Sequence, residues 1–148
     1  MKSEALNSAT TGQQREPFIW PVRVYYEDTD AGGVVYYANY LKFIERARTE
    51  WLRAQGYEQT DLAQQHRAVF VVRSAAIDYL KPSRFNDSLQ VTVELIKVGA
   101  GHIDLVQRVI RGDELIARAV VKIACVGLDT MRPVRIPQPL ATRIRTRS

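Results

Sequence analysis

The sequence predicts an α+β fold in which one long central helix is wrapped by a curled antiparallel β-sheet. Three observations carry that prediction. The stretch from Tyr37 to Leu52 repeats apolar residues at the three-and-four spacing of a helix. One apolar, β-branched segment precedes it, and several period-two segments separated by turn residues follow. An antiparallel sheet with one apolar face needs a cover, which a single amphipathic helix supplies.

Order is expected to begin near Pro17, because residues 1–16 are dominated by Ser, Thr, Asn and Gln and read as a disordered tail. Phe18 to Glu27 reads as the first strand. It runs into Asp28-Thr29-Asp30-Ala31-Gly32-Gly33, whose short polar residues and paired glycines mark a loop. In the helix that follows, Tyr37, Tyr40, Leu41, Ile44, Ala47, Trp51 and Leu52 form the apolar stripe, and only Arg48 breaks it. Arg46 and Glu50 are spaced to pair across one turn, and Gly56 is a natural stop. A short helix or turn is expected over Gln59 to Gln65. Strands are expected over Val69 to Tyr79, Leu89 to Leu95, Ile103 to Arg111 and Leu115 to Val126, giving a meander of about four. Pro133, Pro137 and Pro139 oppose regular pairing beyond that point. The organisation is therefore one domain over 17–137, with a basic tail over 138–148.

A length of 148 residues suits one domain with a proper core. The 46% hydrophobic and 25% charged fractions are those of a globular protein rather than a disordered one. No apolar run approaches the roughly 20 residues that span a bilayer, and the opening residues lack the apolar core of an export signal. The single cysteine, Cys125, cannot form an internal disulfide. A cytoplasmic location is the expectation. The net charge of +5 comes from Arg132, Arg135, Arg143, Arg145 and Arg147; removing those five leaves 16 basic residues against 16 acidic ones. The aromatics are not interleaved with these arginines, so no nucleic-acid platform is expected.

The chemistry emerges by elimination. No Gly-x-Ser-x-Gly elbow, Walker loop or Gly-x-Gly-x-x-Gly is present. One cysteine and two distant histidines, His66 and His102, make a poor zinc set. The Asp28-x-Asp30 opening fails as a calcium loop, because its fifth and twelfth positions are Gly32 and Asn39. Neither metal nor organic cofactor is expected. Asp28 and Asp30 can simply shape turns. Their place between a strand and a helix start also offers a carboxylate beside free backbone N–H groups, which suit a developing oxyanion. Gly32 and Gly33 let a substrate approach the backbone closely. That equipment is enough for a thioester, whose thiolate is a good leaving group.

The segment from Val24 to Tyr40, continued by Phe43, Glu45-Arg46-Ala47-Arg48 and Glu50, resembles the signature of the 4-hydroxybenzoyl-CoA thioesterase group of hotdog proteins. Within that group it is most similar to the bacterial acyl-CoA thioesterases associated with the Tol–Pal envelope system. Phe70-Val71-Val72-Arg73 and Lys81-Pro82-Ser83-Arg84 extend the likeness over roughly residues 18–137. The resemblance implies a hotdog fold, a homodimer or homotetramer, and an acyl-CoA substrate. It implies Asp30 as nucleophile or general base, Asp28 as a loop-shaping residue, and a carbonyl-polarising N–H at Tyr37 or its immediate neighbours. In the Tol–Pal type the position of Tyr37 is commonly His; the aromatic residue here is that of the hydroxybenzoyl type. Gly33 and Val34 are expected against the substrate, and Arg73, Arg84 and Arg132 are candidates for the CoA phosphates. Glu45 is a further candidate to line the acyl site or bond Arg48. Two other readings stand beside this one. One is an envelope-associated or acyl-carrier-protein-binding relative with little turnover, and the other is an enoyl-CoA hydratase, which usually wants a histidine that the loop lacks.

Overall fold

In a computed structural model of the chain, residues 16–147 are described, so the tail expected over 1–16 lies outside them but for Glu16. The elements in chain order are β1 (Phe18–Arg23), a 3-10 turn (Tyr26–Asp28), α1 (Asn39–Ala54), α2 (Gln59–His66), β2 (Ala68–Tyr79), β3 (Ser88–Val98), β4 (His102–Arg111), β5 (Glu114–Gly127) and α3 (Gln138–Arg147). Among the described residues no helix is long and apolar enough to cross a membrane.

The five strands form one antiparallel sheet in the order β1-β3-β4-β5-β2. This corrects the expected curled sheet wrapped around a helix. The sheet is open, with β1 and β2 as its two edges, and α1 lies on one face against β1, β3 and β4. β1 is a short edge of six residues and carries Pro21, which has no N–H to offer a further strand. The meander is also shorter than expected. β2 pairs with β5 rather than β3, so residues 80–87 cross from the far edge back to β3.

The helix presents Tyr40, Phe43, Ile44, Ala47, Trp51 and Leu52 to the sheet. Its buried stripe is turned slightly from the expected one: Phe43 joins it, whereas Tyr37 and Leu41 are exposed. Glu50 pairs with Arg53 at 2.6 Å instead of with Arg46, whose guanidinium lies over the Phe43 ring at 5.9 Å. The core continues through Leu89, Val91, Leu105, Val109, Ala119 and Val121, whose side chains share the covered face.

The segment read as a basic tail contains α3. Leu140, Ala141 and Ile144 belong to the core, while Arg145 is exposed. The prolines precede the helix or occupy its first turn, where a missing N–H costs nothing. Arg143 Nη1 donates to the Gln55 carbonyl at 2.6 Å, closing the C-terminal end of α1. Gly56 follows with φ +87°, and a Cβ there would collide with Arg143. Leu140→Ala is expected to cost about 2–5 kcal/mol in urea unfolding, and Arg145→Ala less than about 0.5 kcal/mol.

Candidate active site

The loop between β1 and α1 is built around Asp28. This carboxylate is buried, and its Oδ2 accepts the Tyr25 N–H at 2.8 Å. The Asp28 carbonyl accepts two further bonds, from the Tyr36 N–H at 3.0 Å and from Asn39 Nδ2 at 2.9 Å. Asp28 therefore ties the end of the strand to the start of the helix, the loop-shaping part expected of it.

Asp30 is exposed. Its N–H donates to the Val34 carbonyl at 2.9 Å, its carbonyl accepts the Gly33 N–H at 3.0 Å, and Oδ1 accepts the Gly32 N–H at 2.8 Å. The result is a tight four-residue reversal with its carboxylate at the surface. Gly33 sits at φ +82°, where a Cβ is unfavourable although the space around it is empty. Val34 bridges to Arg84, and the Val35 N–H donates to the Ser83 carbonyl at 2.8 Å. The crossing segment 80–87 thus serves as a rail for the loop.

The helix start is uncapped. Ala38 at the N-cap has helical dihedrals and no side-chain bond, and the first turn holds no acidic residue. The carbonyls of Tyr36, Tyr37 and Ala38 accept the N–H groups of Asn39, Tyr40 and Leu41. The N–H groups of Tyr37 and Ala38 have no acceptor among the described residues. A positive helix end with open donors thus follows seven residues after Asp30 in the chain, without a local carboxylate to quench it.

Rings crowd this end of the helix. Tyr37 lies 4.9 Å from Tyr36 and 5.7 Å from Tyr79, and Tyr40 lies 5.8 Å from Tyr79. The Tyr40 hydroxyl donates to Ser83 Oγ at 3.0 Å. Burial, followed by the proximity of Tyr37 and Tyr40, holds the Tyr79 phenol above its ordinary pKa. A groove of about 260 Å³ runs between Val35, Tyr37, Tyr40, Tyr79, Leu80 and Lys81. Ser83 falls within the Lys81–Arg84 stretch of the likeness, but its bond with Tyr40 and the contact of Tyr79 with Tyr37 and Tyr40 are not read from charge or motif, because they come from where β2 ends and the crossing segment passes.

The expected phosphate contacts are dispersed. Arg84 adjoins the loop and is exposed, with its N–H on Asp87 Oδ2 at 2.9 Å. Arg73 is exposed at a bulge on the outer edge, where the β2–β5 register shifts. Arg132 lies beyond β5, its carbonyl accepting the Gly127 N–H, next to the Ala68 end of β2. The Asp30 loop instead neighbours the Tyr79 end, through the ring contact between Tyr37 and Tyr79. Ala117 and Gly127 mark those two ends on β5, about 33 Å apart at strand rise. One chain therefore brings Asp30, Gly33, Val34, Tyr37 and Arg84 to one region and leaves Arg132 at the other. Glu45 is exposed and makes no ion pair with Arg48 among the described residues; Arg48 bonds Gln107 instead. Cys125 is fully buried, and burial raises its thiol pKa, as befits an inert packing residue.

Residues 24–144 match the Thioesterase-like superfamily. The chain belongs to that family. It is 48% identical over 121 residues to a Haemophilus influenzae protein named acyl-CoA thioesterase YbgC, covering 82% of this chain and 89% of that protein. It is 40% identical over 129 residues to Escherichia coli acyl-CoA thioester hydrolase YbgC, covering 86% and 96%. Among solved structures, a probable thioesterase from Bartonella henselae superposes with a TM-score of 0.79 at 32% identity, covering 82% of this chain and all of that one. The hotdog family expected from the signature segment is the family found. From the backbone alone, Gly33→Ala is expected to lower stability by roughly 1–2 kcal/mol in denaturant melts, without a packing penalty.

Proposed function

We propose that this protein hydrolyses acyl-CoA to a free acid and CoA, with Asp30 as the reacting carboxylate. The observation that carries the proposal is an exposed carboxylate in the same short loop as an uncapped helix start. The N–H groups of Tyr37 and Ala38 are available to the thioester oxygen as negative charge grows there. Two routes satisfy the chemistry. In one, Asp30 takes a proton from water as the water oxygen bonds to the carbonyl carbon, and the C–S bond then breaks to release the thiolate. In the other, a carboxylate oxygen of Asp30 bonds to that carbon, CoA thiolate leaves, and water hydrolyses the mixed anhydride. In both routes the CoA thiolate ends by taking a proton. The Tyr37 contribution is its backbone, so an aromatic side chain at this position is compatible with the role. Gly33 and Val34 give the substrate close approach.

The remaining candidates join the site in a dimer. β2 is a 12-residue edge, and residues 72–76 along it are exposed. An edge of that length offers a row of backbone donors and acceptors to a second strand. Two copies of β2 paired antiparallel about the midpoint between Arg73 and Ser74 would set Tyr79 of the partner subunit opposite Ala68. Such pairing would bring the partner subunit's Arg132 to the Asp30 end of the sheet, with both Arg73 side chains near the axis. Arg84 and the partner subunit's Arg132 would then lie at one end of a bound CoA, with Arg73 about 17–20 Å along β2. The lone buried cysteine suits a reducing compartment, and the cytoplasm is the compartment proposed.

Thiol release from a panel of acyl-CoAs tests the chemistry. Asp30→Asn is expected to lower turnover by roughly 100-fold or more while leaving the fold intact; unchanged turnover would remove Asp30 from the reaction. Sedimentation tests the assembly. A mass of at least twice the 16.9 kDa chain is expected, and a single-chain mass during active turnover would rule out the shared site.

A further inference from the structure

Arg48 is the residue that interrupts the apolar stripe of α1, and its surroundings account for the interruption. Its Nη1 donates to Gln107 Oε1 at 3.1 Å. Gln107 is fully buried, and its amide is oriented by Nε2 bonds to the carbonyls of Ile44 at 3.0 Å and Thr92 at 3.3 Å. That oxygen therefore turns toward Arg48 and holds the guanidinium in place. Among the described residues Arg48 pairs with no carboxylate, and Gln107 takes up one of its five N–H donors.

The guanidinium borders a cavity of about 310 Å³ whose apolar walls include Trp51, Leu52, Phe70, Val72 and Ile123. Gln59, also on the wall, spends its amide on Phe70, accepting its N–H at 3.1 Å and donating to its carbonyl at 3.2 Å. Glu45 reaches the cavity as well, but as an exposed side chain beyond ion-pairing distance. Burial pulls the Arg48 pKa down, with Glu45 pushing it back up. A cavity with these apolar walls and one guanidinium oriented from inside, with Thr49 and the exposed Glu45 also on its lining, suits a ligand that is greasy along its length and anionic at its end.

We propose that this cavity receives the far end of the acyl chain and that Arg48 binds a terminal carboxylate there, so that the enzyme prefers CoA thioesters of dicarboxylic acids. The inference rests on the shared site proposed above. Phe70, Val71 and Val72 are β2 residues, so edge pairing brings the partner subunit's Asp30 loop toward this cavity. A plain acyl chain would set methyl groups against the guanidinium. A terminal carboxylate of the right reach would accept two parallel N–H bonds from it.

Glutaryl-CoA and valeryl-CoA have five-carbon acyl chains that differ at the far end, and their kcat/KM ratio reads the proposal directly. The wild type is expected to favour glutaryl-CoA by about tenfold or more, as charge-assisted hydrogen bonds warrant. Arg48→Met is expected to abolish or invert that preference while retaining valeryl-CoA turnover, and Arg48→Lys to keep part of it. A wild-type ratio near or below one, or a ratio unchanged in a folded Arg48→Met, overturns the proposal. Should Arg48→Met fail to fold, the wild-type ratio decides alone. If the wild type hydrolyses neither thioester nor any other member of the acyl-CoA panel, the proposed function fails, and titration with the free acids tests the cavity independently. Glutarate binding that exceeds valerate binding, disappears in Arg48→Met and survives in part in Arg48→Lys supports the carboxylate site, and equal binding of the two acids by the wild type overturns it.

Discussion

The backbone of residues 24–36 belongs to neither sheet nor helix for most of its length, so its polar groups must find partners elsewhere. Two devices supply them. Asp28 gathers the N–H groups of Tyr25 and Tyr36 and the Asn39 amide onto a single buried residue. The crossing segment supplies others, with Ser83 accepting from Val35 and Asp87 accepting from Val24, while the Asp30 reversal bonds within itself. The open sheet makes this possible, because β2 at the far edge forces the chain to return to β3 past the loop. Asp30, Gly33 and the start of α1 keep their relative places through that return.

The same helix carries two electrostatic situations. Its N-terminal end has no side-chain cap and no acidic residue in its first turn. One buried flank carries a cation whose partner is a neutral amide rather than a carboxylate. The guanidinium is the costlier of the two in the empty fold, because burial strips it of water while a neutral amide replaces a carboxylate. Both become favourable when negative charge arrives, transiently at the N-terminal end and permanently at the flank. Local rules of helix construction are broken at these two places, and such places are where function is expected.

Much of this was legible in the residues. The spacing from Tyr40 to Leu52 placed α1, the period-two stretches placed β3, β4 and β5, and Asp28 to Gly33 marked the loop. The pairing partners were not legible. Alternation reports which face of a strand is covered but not which strand lies beside it, so β2 appeared to continue the meander. Openness escaped for the same reason, since no residue announces that an edge stays unpaired. In α3, five arginines and three prolines over residues 132–148 masked the spacing of Leu140, Ala141 and Ile144, which is apparent only once a hydrophobic surface waits for it. Glu50 chose Arg53 over Arg46 because the Phe43 ring offered Arg46 another resting place. The convergence of Tyr37, Tyr40, Tyr79 and Ser83 depends on that same unread pairing.

The Arg143 contact has a consequence for the order in which the protein can be made. It closes the C-terminal end of α1 from 88 positions further along the chain. On a ribosome, the central helix therefore emerges several seconds before the residue that finishes it. Early in that interval its apolar flank has only β1 to rest on; β3 and β4 follow, and α3 comes last. The order of synthesis therefore covers the helix flank first and fastens its C-terminal end last.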